Sequence, residues 1–276
     1  MSLIQRIWNA VARLSHEPPF RLVTRFMLKQ FPVSAQTRAR WDISDRPAYL
    51  LGLATAAEQA VVEKRKAISA IEFGVAGGRG LLALQREAEE VEKEYGVAIK
   101  VYGFDLKIGL PELIGDYRDH PEKFRSGDFP MDEEKLRSKL NSRTALLLGN
   151  VRDTVNRFFE EHRPPPIGFV SFDMDLYSST RDAFRLFTHA SKQMLVHTPL
   201  YFDDLGSFTY HDHAGELLAI HEFNEQDYSV KIHPWAGVRD GRPFREAPYL
   251  GHMFMAHDLA GASKVVLDRP PGTLPL

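Results

Sequence analysis

Five acids stand where short apolar runs of this chain stop. Glu72 follows Ala67-Ile68-Ser69-Ala70-Ile71, Asp105 follows Ile99 to Phe104, Asp173 follows Ile167 to Phe172, and Asp203-Asp204 follow Leu200-Tyr201-Phe202. An acid at the end of a second strand can accept hydrogen bonds from both hydroxyls of an adenosine ribose. The same residue could equally cap a helix or face water. Asp173, Asp203 and Asp204 form a sharper group, because three carboxylates converging from neighbouring strand ends repel one another unless protons or a cation intervene. A hard divalent ion such as magnesium suits such oxygens. The alternative is that Asp204 caps the turn after it while Asp173 and Asp175 face solvent.

The first acid leads into Gly74, Gly77, Gly78 and Gly80, and Leu81-Leu82-Ala83-Leu84, Ala88, Val91 and Tyr95 then recur at helical spacing. Strand, glycine turn and helix form the opening unit of a nucleotide-cradling α/β fold, where a bare backbone turns sharply and lets a ligand approach. The order of these glycines does not match the G-x-G-x-x-G of a dinucleotide site, which argues modestly against NAD.

The elements that must carry these residues alternate regularly. Apolar runs at 67–71, 99–104, 145–148, 167–172 and 200–202 read as strands, and helical patterns lie at Asp132 to Leu140, Val151 to Phe159 and Ser179 to Ala190. A mostly parallel, doubly wound, Rossmann-like sheet is the expectation. Beyond it, Gly215 to Asn224 reads as a helix, and Val230 to His233 and Met253 to His257 as late strands. Ahead of it, helices are expected over Leu3 to Leu14, Leu22 to Leu28 and from Arg46 to Val61, broken by Pro18-Pro19 and Phe31-Pro32. The domain expectation is an N-terminal helical cap over 1–66, a Rossmann-like domain over 67–262 and a tail over 263–276.

With 276 residues and a net charge of −2, the chain can bury a substantial core and is not built for broad nucleic-acid binding. Residues 1–41 differ, with seven Lys/Arg against the single acid Glu17. Such a basic amphipathic stretch can mark a membrane surface or transit peptide, or it can cover the domain or pair with a second subunit, so peripheral membrane contact and a homodimer are both open. With no cysteine, disulfides, thiolate metal sites and a Cys nucleophile are excluded. Neither a membrane-spanning run nor a secretory signal is read, and the expectation is a cytoplasmic protein.

Glu72-Phe73-Gly74-Val75, Gly103-Phe104-Asp105 with Gly109-Leu110-Pro111, Asp173-Met174-Asp175-Leu176-Tyr177-Ser178-Ser179-Thr180, and Asp203-Asp204 together resemble the class I S-adenosylmethionine-dependent methyltransferases of the macrocin O-methyltransferase type. The resemblance spans roughly Ile68 to Asn224, and the Asp-x-Asp-Leu-Tyr block followed by the paired acids is its most specific part. It implies that Glu72, Gly74, Ala76, Gly78 and Asp105 hold S-adenosylmethionine, with Asn150 and Val151 near the adenine and Asp173 at the cofactor's edge. It implies magnesium, or another divalent cation, on Asp173, Asp203 and Asp204, with Asp175 in support. One departure concerns the loop before the fifth strand, where the family's glycine pair is replaced by Val196-His197-Thr198-Pro199.

The implied reaction is methyl transfer to a hydroxyl of a small molecule or sugar-containing metabolite. His211 and His213, just past the metal pair, are candidate general bases beside Asp203, with Glu216 behind them. Two rivals stand. Imidazoles two apart with a carboxylate could bind iron and support a hydroxylase on the same scaffold. A non-catalytic binding or assembly protein would follow if the N-terminal helices blocked the strand ends.

Overall fold

A computed structural model of the chain describes residues 17–189, 193–206 and 210–265. The helix expected over 3–14, the end of the helix expected to reach Ala190 and the tail from 266 onward lie outside the described residues.

Seven strands form one sheet: β1 (Ala67–Phe73), β2 (Ala98–Asp105), β3 (Thr144–Leu148), β4 (Ile167–Phe172), β5 (His197–Phe202), β6 (Val230–Pro234) and β7 (Met253–Asp258). Their order is β3-β2-β1-β4-β5-β7-β6. The first five are parallel, and β7 runs antiparallel to both β5 and β6. The expected doubly wound, mostly parallel sheet is therefore present, and its direction of winding reverses between β1 and β4. A crevice at such a reversal, beyond the carboxyl ends of the strands, is where ligands bind in open α/β sheets.

Helices cover both faces. α1 (Phe20–Leu28), α2 (Ala35–Arg40) and α3 (Pro47–Val62) precede the sheet, and α4 (Arg79–Tyr95) follows β1. α5 (Glu133–Arg137), α6 (Val151–His162), α7 (Tyr177–Ala183), α8 (Arg185–His189), α9 (Gly215–Glu225) and α10 (Leu259–Ala262) follow in chain order among the described residues. Strand alternation decides which side chain meets which layer. Ile68 and Ala70 point into a core shared with Tyr49, Leu53, Leu81 and Phe169, under α3 and α4. Ile71 and Phe73 point the other way, into an aromatic-rich core with Phe158, Phe172, Phe184 and Phe223, under α6 to α9. α3 carries ten buried residues and packs on β4 and β5, so this part of the N-terminal region is built into the sheet's own core.

Two helices differ from expectation. The segment expected from Asp132 to Leu140 is helical only over Glu133–Arg137, because Asp132 caps its start and the chain then turns to hand the Asn141 amide to Gln85. The expected helix from Ser179 breaks at Phe184, whose buried ring packs between Phe172, Phe187 and Phe223, and it begins two residues earlier, at Tyr177.

Candidate active site

The acids are aligned by the rings beneath them. Phe73, Phe172 and Phe202 are register partners on adjacent strands β1, β4 and β5. Phe172 stacks on both neighbours, with centroids 5.4 Å from Phe73 and 4.7 Å from Phe202. Each such contact contributes about 0.5–1.5 kcal/mol beyond burial. With the rings level, the next residue on each strand is level too. The sheet's hydrogen bonding continues one step past the strands, from Gly74 N–H to Phe104, Asp173 N–H to Phe73 and Asp203 N–H to Phe172, each 2.9 Å. Gly74, Asp173 and Asp203 thus share one rim.

A cavity of about 430 Å³ opens on that rim. Of the residues singled out in the sequence, Gly74, Ala76, Asp105, Asn150, Val151, Asp173, Asp203 and Asp204 line it. Asp175, Ser178, Ser179 and Arg181, from the Asp-x-Asp block and α7, line it as well. Its remaining wall comes largely from the crossover between β2 and α5, with Leu106, Leu110, Ile114 and Phe129 supplying apolar surface. Eight of the lining residues are acids and one, Arg181, is basic. Such a wall repels polyphosphates and favours a cationic ligand.

The glycine loop is held in shape by Asp105. One of its oxygens accepts from the Val75 and Ala76 amides at 2.9 and 2.8 Å, and the other accepts from the Lys107 amide. Gly74 has φ +81°, and a Cβ there would lie 1.7 Å from the carbonyl oxygen of Asp173. No other residue lets β1 and β4 approach so closely at this level.

Glu72 and Gly78 do not line the cavity. β1 runs through Phe73, so Glu72 is inside the strand and alternation turns it under the helices, away from the crevice. Its carboxyl is buried, with one oxygen accepting from the Tyr49 hydroxyl at 2.6 Å and the other without a partner. Ser171 donates to the same hydroxyl at 3.1 Å. Burial, with Asp173 nearby, raises the Glu72 pKa to about 8. Gly80 lets α4 sit on this carboxyl, since a Cβ there would be 1.9 Å from it. Gly78, with φ +79°, faces Leu136 of α5.

Crowding of charge marks the far end of the cavity. Burial, then Asp203 and Asp204, lifts Asp173 to about 7. Burial, then Asp204 and Asp173, lifts Asp175 to about 8. Asp204 is raised as well, by burial and Asp203. Asp204 accepts from the Asp175 amide at 3.0 Å and from Tyr210 at 3.4 Å, and its own amide donates to Glu216 at 3.2 Å. Glu216 is buried with its second oxygen unpartnered, and burial holds its pKa well above the carboxylate range. Asp203 accepts from Tyr201 at 2.6 Å. Asp204 therefore does not act as a simple turn cap, and Asp173 does not face solvent.

Among the described residues, no group of three or more His, Asp or Glu side chains is placed to hold a metal ion. The donor chemistry nevertheless suits magnesium, which is commonly held by one or two carboxylates with water filling the rest of its shell. His211 and His213 do not line the cavity. Their rings are 6.0 Å apart, His211 packs near the buried His120, and its Nδ1 accepts from the His213 amide. No metal-ligating group of three forms around them among the described residues. Residues 17–62 do not line the cavity.

Several contributors carry no signal as local as the acids. Asp119, in the crossover, accepts from the Ser178 amide and hydroxyl, both at 2.8 Å, and so anchors the start of α7. Lys123 bonds the Tyr210 hydroxyl and lies 4.1 Å from its ring. Arg46 lies over the Tyr49 ring at 5.5 Å. Burial alone would lower its pKa, but Tyr49, Glu72, Asp203 and Asp173 more than offset this and raise it. Tyr201 alone had a readable cue, being on β5 two residues before Asp203, the spacing at which extended chain returns to the same side.

No family model matches the chain, and no curated protein does. Solved structures do resemble it. The calicheamicin methyltransferase CalS11 is 20% identical with a TM-score of 0.51, over 80% of this chain and 90% of that one. The O-methyltransferase NovP is 20% identical with a TM-score of 0.42, over 57% and 65%. The O-methyltransferase TomG from Streptomyces achromogenes, solved in complex with SAM, is 16% identical with a TM-score of 0.40, over 73% and 82%. The likeness to CalS11 bears on the fold: the chain shares its Rossmann-like, mostly parallel sheet with that structure.

Proposed function

We propose that this protein is an S-adenosylmethionine-dependent methyltransferase acting on a hydroxyl of a small molecule or sugar-containing metabolite. The observation that carries this reading is the acid-walled cavity at the sheet's winding reversal. It suits a nucleoside bearing positive charge and disfavours a dinucleotide pyrophosphate. The methyltransferase CalS11, whose fold this chain shares, supports the same class.

Asp105, Gly74 and Ala76 would hold the nucleoside end, with Asn150 and Val151 beside the base. S-adenosylmethionine supplies an electrophilic methyl, so the protein's task is to align the acceptor with it and to exclude water. Asp105 serves that task by fixing the loop amides, and the aromatic ladder serves it by fixing the rim. Asp173, Asp203 and Asp204 would hold a divalent ion, whose contribution is Lewis acidity toward the acceptor oxygen. His211 and His213 stay as candidate bases, together with Asp203, which lines the cavity. Among the described residues no helix is long and apolar enough to cross a membrane.

Calorimetric titration with S-adenosylmethionine tests the reading. Saturable binding is expected, weakened about 10- to 100-fold by Asp105→Asn, the loss of charge-assisted hydrogen bonds. No heat at millimolar cofactor would end it. If the divalent ion assists, a chelator abolishes methyl transfer from labelled cofactor while leaving cofactor affinity nearly unchanged.

A further inference from the structure

α1 is amphipathic in the reverse sense from a core-packing helix. Its cationic side is fastened to the protein. The Arg21 guanidinium donates to the Pro243 carbonyl at 3.1 Å and pairs with Glu246 at 3.3 Å, Arg25 donates to the Asp42 carbonyl at 2.6 Å, and both guanidinium groups lie over the Phe244 ring. The apolar side is turned outward. Phe20, Leu22, Val23, Phe26 and Met27, with Phe31 just beyond, are each more than half exposed, and the helix buries none of its residues.

The position of this face is defined by topology. β6 and β5 both run antiparallel to β7, so β6 ends on the same side of the sheet as β5. The connection from β6 to β7, which carries Pro243, Phe244 and Glu246, therefore lies at the end of the molecule where the cavity opens.

We propose that this face docks on the surface of an anionic lipid bilayer. Water exposure of five large apolar side chains on one side of a short helix, with Phe31 just beyond it, is unfavourable unless something covers them. A second copy is a poor fit for the area. A 9-residue helix is about 14 Å long and about 10 Å wide, so its outer half offers on the order of 200 Å². A stable protein partner requires about 800 Å² per side. A bilayer interface has no such threshold, because each inserted side chain contributes independently. Charge points the same way: residues 1–33 carry Arg6, Arg13, Arg21, Arg25 and Lys29 against Glu17 alone. Arg21 and Arg25 are turned to the body, but Lys29 is exposed beside the apolar face. Residues 1–16, which lead directly into this region, repeat the composition with Leu3, Ile4, Ile7, Trp8, Val11 and Leu14 around two arginines and no acid. The proposal is independent of the methyl-transfer reading.

Co-sedimentation of the full chain with vesicles tests it. Binding is expected to vesicles of phosphatidylglycerol mixed with phosphatidylcholine, and less to phosphatidylcholine alone. Phe26→Glu combined with Phe31→Glu should weaken it tenfold or more, roughly the effect of withdrawing two aromatic side chains from an apolar medium. Because both side chains are exposed, the thermal transition should not move, and this separates lost docking from lost fold. Failure to sediment with anionic vesicles, or sedimentation unchanged by the two substitutions, overturns the proposal. So does a dimer in sedimentation velocity that the same substitutions dissociate without any vesicle binding, which assigns the face to a second copy.

Discussion

Glu72 illustrates how one residue can be placed correctly in the sequence and still be turned away from its expected role. It stands two positions before Gly74, inside β1, where strand alternation turns its side chain under α3 and α4. Its surroundings are Tyr49, Ser171 and the backbone of α4. Between the ordinary carboxylate value of 4.5 and its raised value of about 8, the folded protein holds a proton that the unfolded chain has released. Stability contributed by this group is full below the lower value and is lost as pH climbs through the upper one, by on the order of 3–5 kcal/mol in total. Glu72→Gln keeps an oxygen for Tyr49 and removes the titration. Guanidinium unfolding at pH 5 and at pH 9 should find the variant close to the parent at the lower pH and clearly more stable at the higher one. Equal stabilities at pH 9 would mean the carboxyl is not held neutral by its burial.

At the level of elements, much was legible because chemistry and periodicity coincide. All seven strands were readable from apolar runs, and all five parallel ones stop at or just before an acid or a glycine that lines the crevice, as at Phe172-Asp173 and Phe202-Asp203. The pattern did not disclose what joins distant segments. Tyr49 reads as one more residue of a covering helix, yet its hydroxyl bridges Glu72 and Ser171 across two strands. Asp119 lies in a crossover with no periodicity at all, and its role exists only because α7 starts beside it. The break at Phe184 likewise depends on tertiary packing overriding a helical pattern. The ladder of Phe73, Phe172 and Phe202 is the element-level feature on which the rim rests. Removing its central ring by Phe172→Ala should cost about 3–5 kcal/mol, the range for emptying a buried aromatic site. It should also weaken binding of S-adenosylmethionine, because Asp173 and Asp203 lose the common support that levels them. Chemical denaturation and titration on the same samples separate the two effects, and a stability loss with unaltered cofactor affinity would show that the rim does not depend on the rings.

At the scale of the molecule, a buried contact ties the segment after α2 to the connection between β6 and β7. Arg242, in the connection between β6 and β7, donates to the Ala39 carbonyl at 2.6 Å and to the Asp42 carboxylate at 2.7 Å, and it also reaches the Tyr249 hydroxyl. Asp42 and Arg242 are each only 6% exposed, so this pair differs from the surface ion pairs elsewhere, whose contribution is small. The same connection supports α1 through Pro243, Phe244 and Glu246. It also approaches the active rim, where His252 contacts the Phe202 carbonyl through Nδ1 at 2.8 Å. Arg242→Ala would leave Asp42 buried without its cation, and breaking one side of a buried pair costs about 3–5 kcal/mol. Asp42→Ala alone should cost a comparable amount by stranding the guanidinium. Since each single substitution already forfeits the same pairing, the double variant should be less destabilised than the sum of the two, by at least about 1 kcal/mol. Thermal unfolding of all four proteins measures this difference directly. Strict additivity would mean that these two segments are joined by packing around the pair, with the charges themselves contributing nothing to the contact.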